Sequence, residues 1–316
     1  MYKKKIKIFY RPEMVSVESV SATSKSPLKP KRLMEYLSKI GLMDDNFDIM
    51  EKFKPFEKDD FYLAHTAEYV DDFFNGKEPL ASSNGMTWNR QFADSVRYTN
   101  SSLYNAIKYA CENPDTIAFS PTSGFHHACP ERGFGFCTFS GQVIASLKLY
   151  KEKGLRGAYI DLDCHFGNSI GDSEEFCFEK HGIKISEAVI KMNINPAGRH
   201  QDYIDDLKGK LEKLREEIIA GNIDYVVFCH GADSHEHDDL GGHVNTDEWI
   251  EASKIVYDEI KRISEAINKP LPLALSLFGG YRHNDFEAVL KLHSADLVKC
   301  LNILCGKNIE YEIDVK

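Results

Sequence analysis

Short apolar runs that alternate with long stretches of helical spacing constrain the fold of this chain more than any other feature. The runs lie at 158–160, 188–192, 225–229 and 273–278, and a first strand is expected near 4–10. Each run is typical of a buried strand and is too short for a helix. The spacing of apolar residues predicts helices over 31–41, 66–75, 90–111, 138–153, 202–219, 246–267 and 285–303.

The alternation is typical of βαβ units. It predicts an α/β fold with a mostly parallel central sheet and helices on both faces. Neither a linker nor a shift in composition interrupts the chain, so residues 1–316 are expected to form a single domain. In such folds, ligands bind beyond the carboxyl ends of the strands. The segments directly after the strands are therefore where functional residues are expected.

The composition argues against two classes of partner. The formal net charge is -10, and nucleic-acid binding needs clustered Lys and Arg, so no nucleic-acid partner is expected. No apolar run approaches the ~20 residues of a membrane helix, so no membrane partner is expected either. The acidic balance suits a cationic substrate such as a Lys-rich tail or a polyamine, although the charge also serves solubility alone.

The cysteines and the start of the chain indicate a compartment. None of the 8 cysteines forms a C-x-x-C pair, and most lie in apolar segments, so we expect reduced thiols and an intracellular, cytoplasmic protein. The start "MYKKKIKIFY" is too short in its apolar part for a secretory signal and reads better as a first strand. The oligomeric state is left open.

The stretch "GAYIDLDCHFGNSI" (157–170) ends a buried strand in polar residues. Asp161, Asp163 and His165 occupy alternate positions, so in an extended chain they share one side. Carboxylate oxygen and imidazole nitrogen are ligands that zinc accepts, and Asp163 and His165 could both reach one ion. A solvated turn with incidental acids is the alternative interpretation.

A catalytic zinc takes three protein ligands, and Asp233 in "CHGADSH" is the natural third. His230, His235 and His237 flank it and are rival ligands. A set of two carboxylates and one imidazole is rich in oxygen, so iron, cobalt or manganese would also fit.

Two further segments offer catalytic groups. His126 and His127 are adjacent in a loop rich in Gly and aromatic residues, and a general base among them would need an orienting partner. Asp161 could hold His126 and Asn168 could hold His127, while two structural histidines are the alternative. Tyr281 follows Gly279 and Gly280 and could donate to a developing oxyanion, although a lone G-G-Y is more often structural.

Together, four ordered blocks resemble the histone deacetylase family of zinc amidohydrolases with an arginase-like fold. The blocks are "GFHHACPERGFGFC", "DLDCHFGNS", "CHGADSHEHDDLGG" and "LFGGY". The resemblance implies zinc bound by Asp163, His165 and Asp233, and His127 as general base and acid. It implies His126, paired with Asp161, as an electrostatic partner and Tyr281 as the oxyanion donor. The family also implies K⁺ near Asp161.

The resemblance also implies a substrate channel lined by Gly135, Phe136, Leu240 and Gly280, with Phe136 as the aromatic wall. Asn168 stands where many members carry an aspartate, which resembles the class II enzymes. Gly198 or Arg199 stands where members often carry an aromatic pair. The loop 75–89 lacks the family's substrate-binding aspartate, for which Asn84 is a candidate.

The expected function is zinc-dependent removal of acyl groups, most simply acetyl, from lysine side chains of proteins or peptides. Deacetylation of small amides such as acetylpolyamines is the nearest alternative; Leu240 stands where polyamine enzymes carry an acid at the channel mouth, which favours acyl-lysine. An arginase-like manganese hydrolase would need an aspartate where Asn168 stands. An inactive acyl-lysine reader is disfavoured because Tyr281 is present.

Overall fold

The computed structural model describes residues 1–21 and 23–315 and places seven parallel strands in one sheet. The strands are β1 Ile6–Ile8, β2 Phe47–Ile49, β3 Ala118–Ser120, β4 Gly157–Asp161, β5 Ile190–Ile194, β6 Tyr225–His230 and β7 Leu273–Leu277. Their order across the sheet is β2-β1-β3-β7-β6-β4-β5. The predicted fold class is confirmed.

The helices lie close to the predicted segments, with several short additions. They are α1 Lys29–Lys39, α2 Met43–Asn46, α3 Lys58–Phe61, α4 Ala67–Asn75, α5 Arg90–Glu112, α6 Gly141–Lys153, α7 Ser169–Asp172, α8 Glu174–His181, α9 Ile185–Ala188, α10 His200–Ile219, α11 Thr246–Ala266 and α12 Phe286–Ile303. Short 3₁₀ turns occupy Pro12–Met14, Ser26–Leu28 and Ala232–Ser234.

Side-chain alternation along the strands divides the core between the two faces of the sheet. In β6, Val226 and Phe228 pack into one cluster with residues of α1, α10, α11 and α12. Tyr225, Val227 and Cys229 pack into the other cluster, with residues of α4, α5 and α6. Because both faces are covered, the central strands are apolar throughout rather than alternating between apolar and polar.

The register of the central strands brings the functional segments together. Asp161, the last residue of β4, pairs with Cys229 of β6, and His230, the last residue of β6, pairs with Leu277 of β7. The three strands therefore end level with one another, and the loops that follow them leave the sheet at one edge. This edge is where the sequence places Asp163, Asp233 and Tyr281.

The largest differences from the predicted strands are the shifted boundaries of two strands and the absence of two others from the prediction. The first strand is Ile6–Ile8 rather than 4–10, and β5 begins two residues later than predicted, because Ala188 closes the short helix α9. Strands β2 and β3 were not predicted; each has only three residues, which is too few for a periodic signal.

Within the described residues, no helix combines the length and the apolar character that crossing a membrane requires. All eight cysteines lie in this part of the chain and are free thiols.

Phe139 lies in the loop just before α6, and its ring is at the centre of an aromatic cluster. Its ring centroid lies 4.5 Å from that of Phe61 and 5.1 Å from those of Tyr69 and Phe73. We predict that Phe139→Ala lowers the free energy of unfolding by about 4 kcal/mol, because it removes a fully buried ring and leaves a cavity. Urea denaturation measures the change.

The matched control is Phe178→Ala, since this ring on α8 is 52% exposed. Its substitution should change the free energy of unfolding by less than about 0.5 kcal/mol. Equal losses in the two variants would contradict the importance of the Phe139 cluster.

His65 is a buried imidazole that fixes the loop carrying the tandem histidines. Its Nδ1 lies 2.9 Å from the carbonyl oxygen of Cys129, and its Nε2 accepts from the Ser140 amide at 2.9 Å. Burial lowers the pKa of His65 to about 3. The neutral ring satisfies both contacts, whereas a proton on Nε2 would abolish the second one.

The unfolded chain, in which a His pKa is about 6.5, therefore binds more protons than the folded chain between about pH 3 and pH 6.5. Stability falls as the pH falls through this window. We predict that the wild type loses about 2 kcal/mol more than His65→Gln between pH 7 and pH 5. Urea denaturation at both pH values measures this, with His237→Gln as the solvent-exposed control, and parallel profiles for wild type and His65→Gln would contradict it.

Candidate metal centre and active site

Asp163, His165 and Asp233 converge beyond the ends of β4 and β6. His165 Nδ1 lies 3.1 Å from Asp163 Oδ1 and 3.0 Å from Asp233 Oδ2. One ligand atom from each residue lies within 4.8 Å of the others, and both carboxylates are buried. Among residues 1–21 and 23–315, this is the one group of His, Cys, Asp or Glu side chains that forms such a cluster.

Backbone amides aim both carboxylates into the cluster. Asp163 Oδ2 accepts from the Gly279 amide at 2.7 Å, and Asp233 Oδ1 accepts from the Cys164 amide at 3.1 Å. A Cβ at residue 279 would lie 2.2 Å from Asp233 Oδ2, so only glycine allows the segment after β7 to approach this closely. The orientation of both acids is therefore built into the backbone.

The electrostatics of the cluster fit a divalent cation. Burial, followed by the charge of Asp163, raises the pKa of Asp233 to about 8. Hydrogen bonds to Asp163 and then Asp233 raise the pKa of His165 to about 10. Two buried carboxylates thus draw a proton onto the imidazole between them, because like charges at this distance need a positive counter-charge. Zn²⁺ would supply that charge through a donor set that it accepts.

The rival histidines face away from the cluster. His230 stacks on Trp249 with ring centroids 3.8 Å apart, and its Nδ1 lies 3.2 Å from Asp296 Oδ1. His235 Nε2 lies 2.9 Å from Thr246 Oγ1, and the side chain of His237 is 48% exposed.

His126 lies between Asp161 and the cluster. Its Nδ1 is 3.0 Å from Asp161 Oδ2, and its Nε2 is 3.7 Å from Asp163 Oδ2. Burial lowers the pKa of His126, but the charges of Asp163 and then Asp161 outweigh burial and raise it to about 9. Without a cation at Asp163, this imidazole therefore favours the charged form.

His127 has the opposite environment. Burial, followed by the charge of His126, lowers the pKa of His127 to about 4. Its Nδ1 lies 2.7 Å from Asn168 Oδ1, while Asn168 Nδ2 donates to Asp172 Oδ2 at 2.6 Å. Because a carboxylate only accepts, the amide oxygen faces His127 and Nδ1 carries the proton. Nε2 is then the basic nitrogen.

Gly135 and Phe136 lie against His127 and Tyr281 respectively. A Cβ at residue 135 would lie 2.7 Å from His127 Cδ2, and the Phe136 ring centroid is 5.6 Å from that of Tyr281. Both residues have positive φ, of 52° and 63°. Gly135 is therefore required by packing as well as by its backbone conformation.

Tyr281 completes the arrangement on the side of β7. Its ring centroid lies 6.2 Å from that of His165. Burial, followed by the charges of Asp163 and Asp233, raises the pKa of Tyr281 well above its usual value. The phenol therefore keeps its proton and can donate a hydrogen bond. Gly280 precedes it and lies against Val289, and Leu240, on the loop after β6, is 41% exposed.

The structure brings these residues into one arrangement, and it places other candidates elsewhere. The amide of Asn84 is buried, with Nδ2 donating to Thr138 Oγ1 at 2.8 Å and Oδ1 accepting from the Met86 amide at 3.0 Å. Its carbonyl oxygen accepts from the Phe136 amide at 2.9 Å, so Asn84 joins its own loop to the segment that carries Phe136. Gly198 and Arg199 are exposed at the start of α10.

Three residues around the site were missed by sequence reasoning. Asp172 orients Asn168, and Asp238 accepts from the Tyr281 amide at 2.7 Å. Lys29 is completely buried and donates to the Phe278 carbonyl oxygen; burial lowers its pKa to about 8, against the opposing charges of Asp233 and Asp163. The spacing of four residues between Asn168 and Asp172 could have indicated a helical contact, but nothing in "SPLKPKR" distinguishes Lys29 from a solvated lysine.

Comparison with solved structures agrees with this architecture. The chain is similar to the HDA15 HD domain, with a TM-score of 0.68, 18% sequence identity, and coverage of 96% of this chain and 90% of that one. It is also similar to acetylpolyamine aminohydrolase from Burkholderia pseudomallei, with a TM-score of 0.67, 16% identity, and coverage of 95% and 99%. At these identities the likeness establishes the fold alone.

Sequence comparison gives the family. Histone deacetylase 8 of Xenopus tropicalis is 25% identical over 219 residues, which cover 66% of this chain and 58% of that protein. The chain spans between 38% and 58% of the length of four curated relatives that it matches. The family model described as "Histone deacetylase domain" matches residues 24–186, just over half of the 316 residues. The chain therefore belongs to the histone deacetylase family.

Proposed function

We propose that this protein is a zinc-dependent deacylase that removes acyl groups, most simply acetyl, from lysine side chains of proteins or peptides. The observation that carries the proposal is the arrangement around the Asp163–His165–Asp233 cluster. A neutral imidazole with a fixed tautomer and a neutral phenol both lie beside these three residues. Amide hydrolysis needs a base, an oxyanion donor and an electrophile in one place.

Asp163, His165 and Asp233 are the residues that would hold the metal. A zinc ion bound there supplies Lewis acidity, which polarises an amide carbonyl and makes water more acidic. K⁺ near Asp161 is part of the same proposal, since this carboxylate is fully buried and adjoins the cluster.

His127 moves the protons. Its Nε2 takes a proton from the attacking water as the carbon–oxygen bond forms. The same nitrogen then delivers the proton to the leaving amine as the carbon–nitrogen bond breaks. Asn168 holds Nδ1–H throughout, so the ring keeps the tautomer that the reaction needs. His126, which is buried with its Nδ1 3.0 Å from Asp161 Oδ2, would act as an electrostatic partner beside the reaction.

Tyr281 donates its phenolic hydrogen to the carbonyl oxygen as that oxygen becomes negative. The raised pKa matters because a phenolate would repel the oxyanion instead. The Gly279 amide donates a hydrogen bond to Asp163 and so links the segment that carries this phenol to the cluster.

The mouth of the site favours an acyl-lysine over an acylated polyamine. Leu240 has an exposed apolar side chain, and its backbone amide and that of Tyr281 both donate to Asp238; a polyamine enzyme would be expected to carry an acid at this position to attract a second amine. An arginase-like manganese centre is disfavoured because Asn168 binds His127 and Asp172 rather than joining the cluster. The free cysteines support the further proposal of an intracellular protein.

We predict turnover of acetyl-lysine peptides that exceeds turnover of acetylated polyamines, with Tyr281→Phe reducing it by about 10²-fold or more. Release of acetate and of free amine measures the rates, and metal analysis should find the ion still bound. Tyr150→Phe makes the same chemical change on α6 and should retain full activity.

Unchanged turnover in Tyr281→Phe would remove this residue from the mechanism. Faster turnover of the polyamines would replace acyl-lysine as the substrate class and leave the mechanism in place.

Zinc should stabilise the folded protein through the same cluster. We predict that saturating Zn²⁺, at about 100 times the dissociation constant, raises the free energy of unfolding of the wild type by about 2.7 kcal/mol. Asp233→Asn should lose most of this gain because one charged ligand is gone. Thermal unfolding with and without zinc measures the effect.

Glu236→Gln is the control for charge, since this exposed acid lies three residues after Asp233 and outside the cluster. It should respond to zinc as the wild type does. An equal response in Asp233→Asn would mean that zinc binds elsewhere.

A further inference from the structure

The segment 278–283, which carries Tyr281, contains neither helix nor strand and is fixed by contacts at its start. Lys29 Nζ donates to the Phe278 carbonyl oxygen. The Gly279 amide donates to Asp163 Oδ2 at 2.7 Å, and the Gly279 carbonyl accepts from the Ala232 amide at 2.9 Å. These contacts precede Gly280, whose φ of 143° places it in a conformation that side chains rarely adopt. They do not by themselves fix the residue beyond it.

Asp238 supplies the contact at Tyr281 itself. Its Oδ2 accepts from the Tyr281 amide at 2.7 Å, and its Oδ1 accepts from the Leu240 amide at 3.0 Å. The carboxylate is buried, so the hydrogen bonds to a charged acceptor are shielded from water. One side chain thus joins the backbone of the β7 loop to the backbone of the β6 loop, which also carries Asp233.

The next residue, Asp239, makes a similar contact that is closer to the protein surface. Asp239 Oδ2 accepts from the His283 amide at 2.7 Å and also contacts the His283 ring. Its side chain is 42% exposed, so this contact competes with water. Two consecutive acids therefore hold the same segment, one directly at Tyr281 and buried, the other two residues further on and exposed.

We infer that Asp238 is the positioning residue for the Tyr281 phenol. It fixes the backbone at Tyr281 relative to the loop that carries Asp233, so that the phenol lies beside the cluster without a search through other conformations. The kinetic part of this inference rests on the proposed function; the structural part does not. Small displacements of a catalytic group cost large factors in rate because the reacting atoms must be aligned.

Asp238→Asn tests the contact with little change in volume. The Tyr281 and Leu240 amides donate to different oxygens of Asp238, so in the Asn variant one of them would face the Nδ2 amide group, which is a donor and cannot accept. We expect amide hydrogen exchange of the segment containing Tyr281 to become about tenfold faster or more. Asp239→Asn, the matched neighbour, should leave that rate within about twofold of the wild type. Asp238→Ala, which removes both acceptors, should exchange at least as fast as Asp238→Asn.

The kinetic measurement separates positioning from general destabilisation. We expect Asp238→Asn to lower kcat about tenfold with KM within about twofold, and Asp239→Asn to leave both nearly unchanged. In the Tyr281→Phe background, Asp238→Asn should cause little further loss, because the group that it positions is already missing. A full additional tenfold loss in the double variant would show that Asp238 acts independently of Tyr281 and would overturn the inference.

The hydrogen-exchange result tests the positioning contact, and the activity result tests the proposed function, so the two claims can be contradicted separately. Unchanged exchange in both Asp238 variants would overturn the inference whether or not the protein is active. Faster exchange in a protein that hydrolyses no acyl amide would support the positioning contact and contradict the proposed function.

Discussion

The repulsion between two buried carboxylates is the constraint on which the rest of the site depends. Asp163 and Asp233 both contact His165 Nδ1, and backbone amides prevent either acid from turning away. In a low-dielectric interior such a pair needs a positive counter-charge. A divalent cation held by the three side chains would satisfy this requirement, and without one the raised pKa of His165 favours a proton on its imidazole instead.

The tandem histidines show how environment shifts the pKa values of two identical side chains in opposite directions. His126 faces the carboxylates of Asp161 and Asp163, so its pKa is raised. His127 faces the neutral amide of Asn168, and burial together with the charge of His126 lowers its pKa. Asn168 instead of a second aspartate is important here, because another carboxylate would raise the pKa of His127 as well. One ring therefore carries charge and the other is a free base.

Much of the site could be predicted from sequence because it lies directly after strands. Asp161, Asp163 and His165 alternate after β4, and the parallel sheet brings Asp233 and Tyr281 to the same edge. Residues that act across loops could not be predicted in this way. Asp238 reaches Tyr281 over 43 positions, and Lys29 reaches Phe278 over 249. No periodicity links such pairs, so only the folded chain reveals them; β2 and β3 were missed for the simpler reason that they are short.

Anomalous diffraction at the zinc absorption edge, on crystals grown with zinc, tests the central claim most directly. The account predicts one strong peak about 2.0–2.2 Å from a carboxylate oxygen of Asp163, from Nδ1 of His165 and from a carboxylate oxygen of Asp233. A peak bound by other side chains, or a well-ordered cluster with no peak between its three ligands, would contradict it.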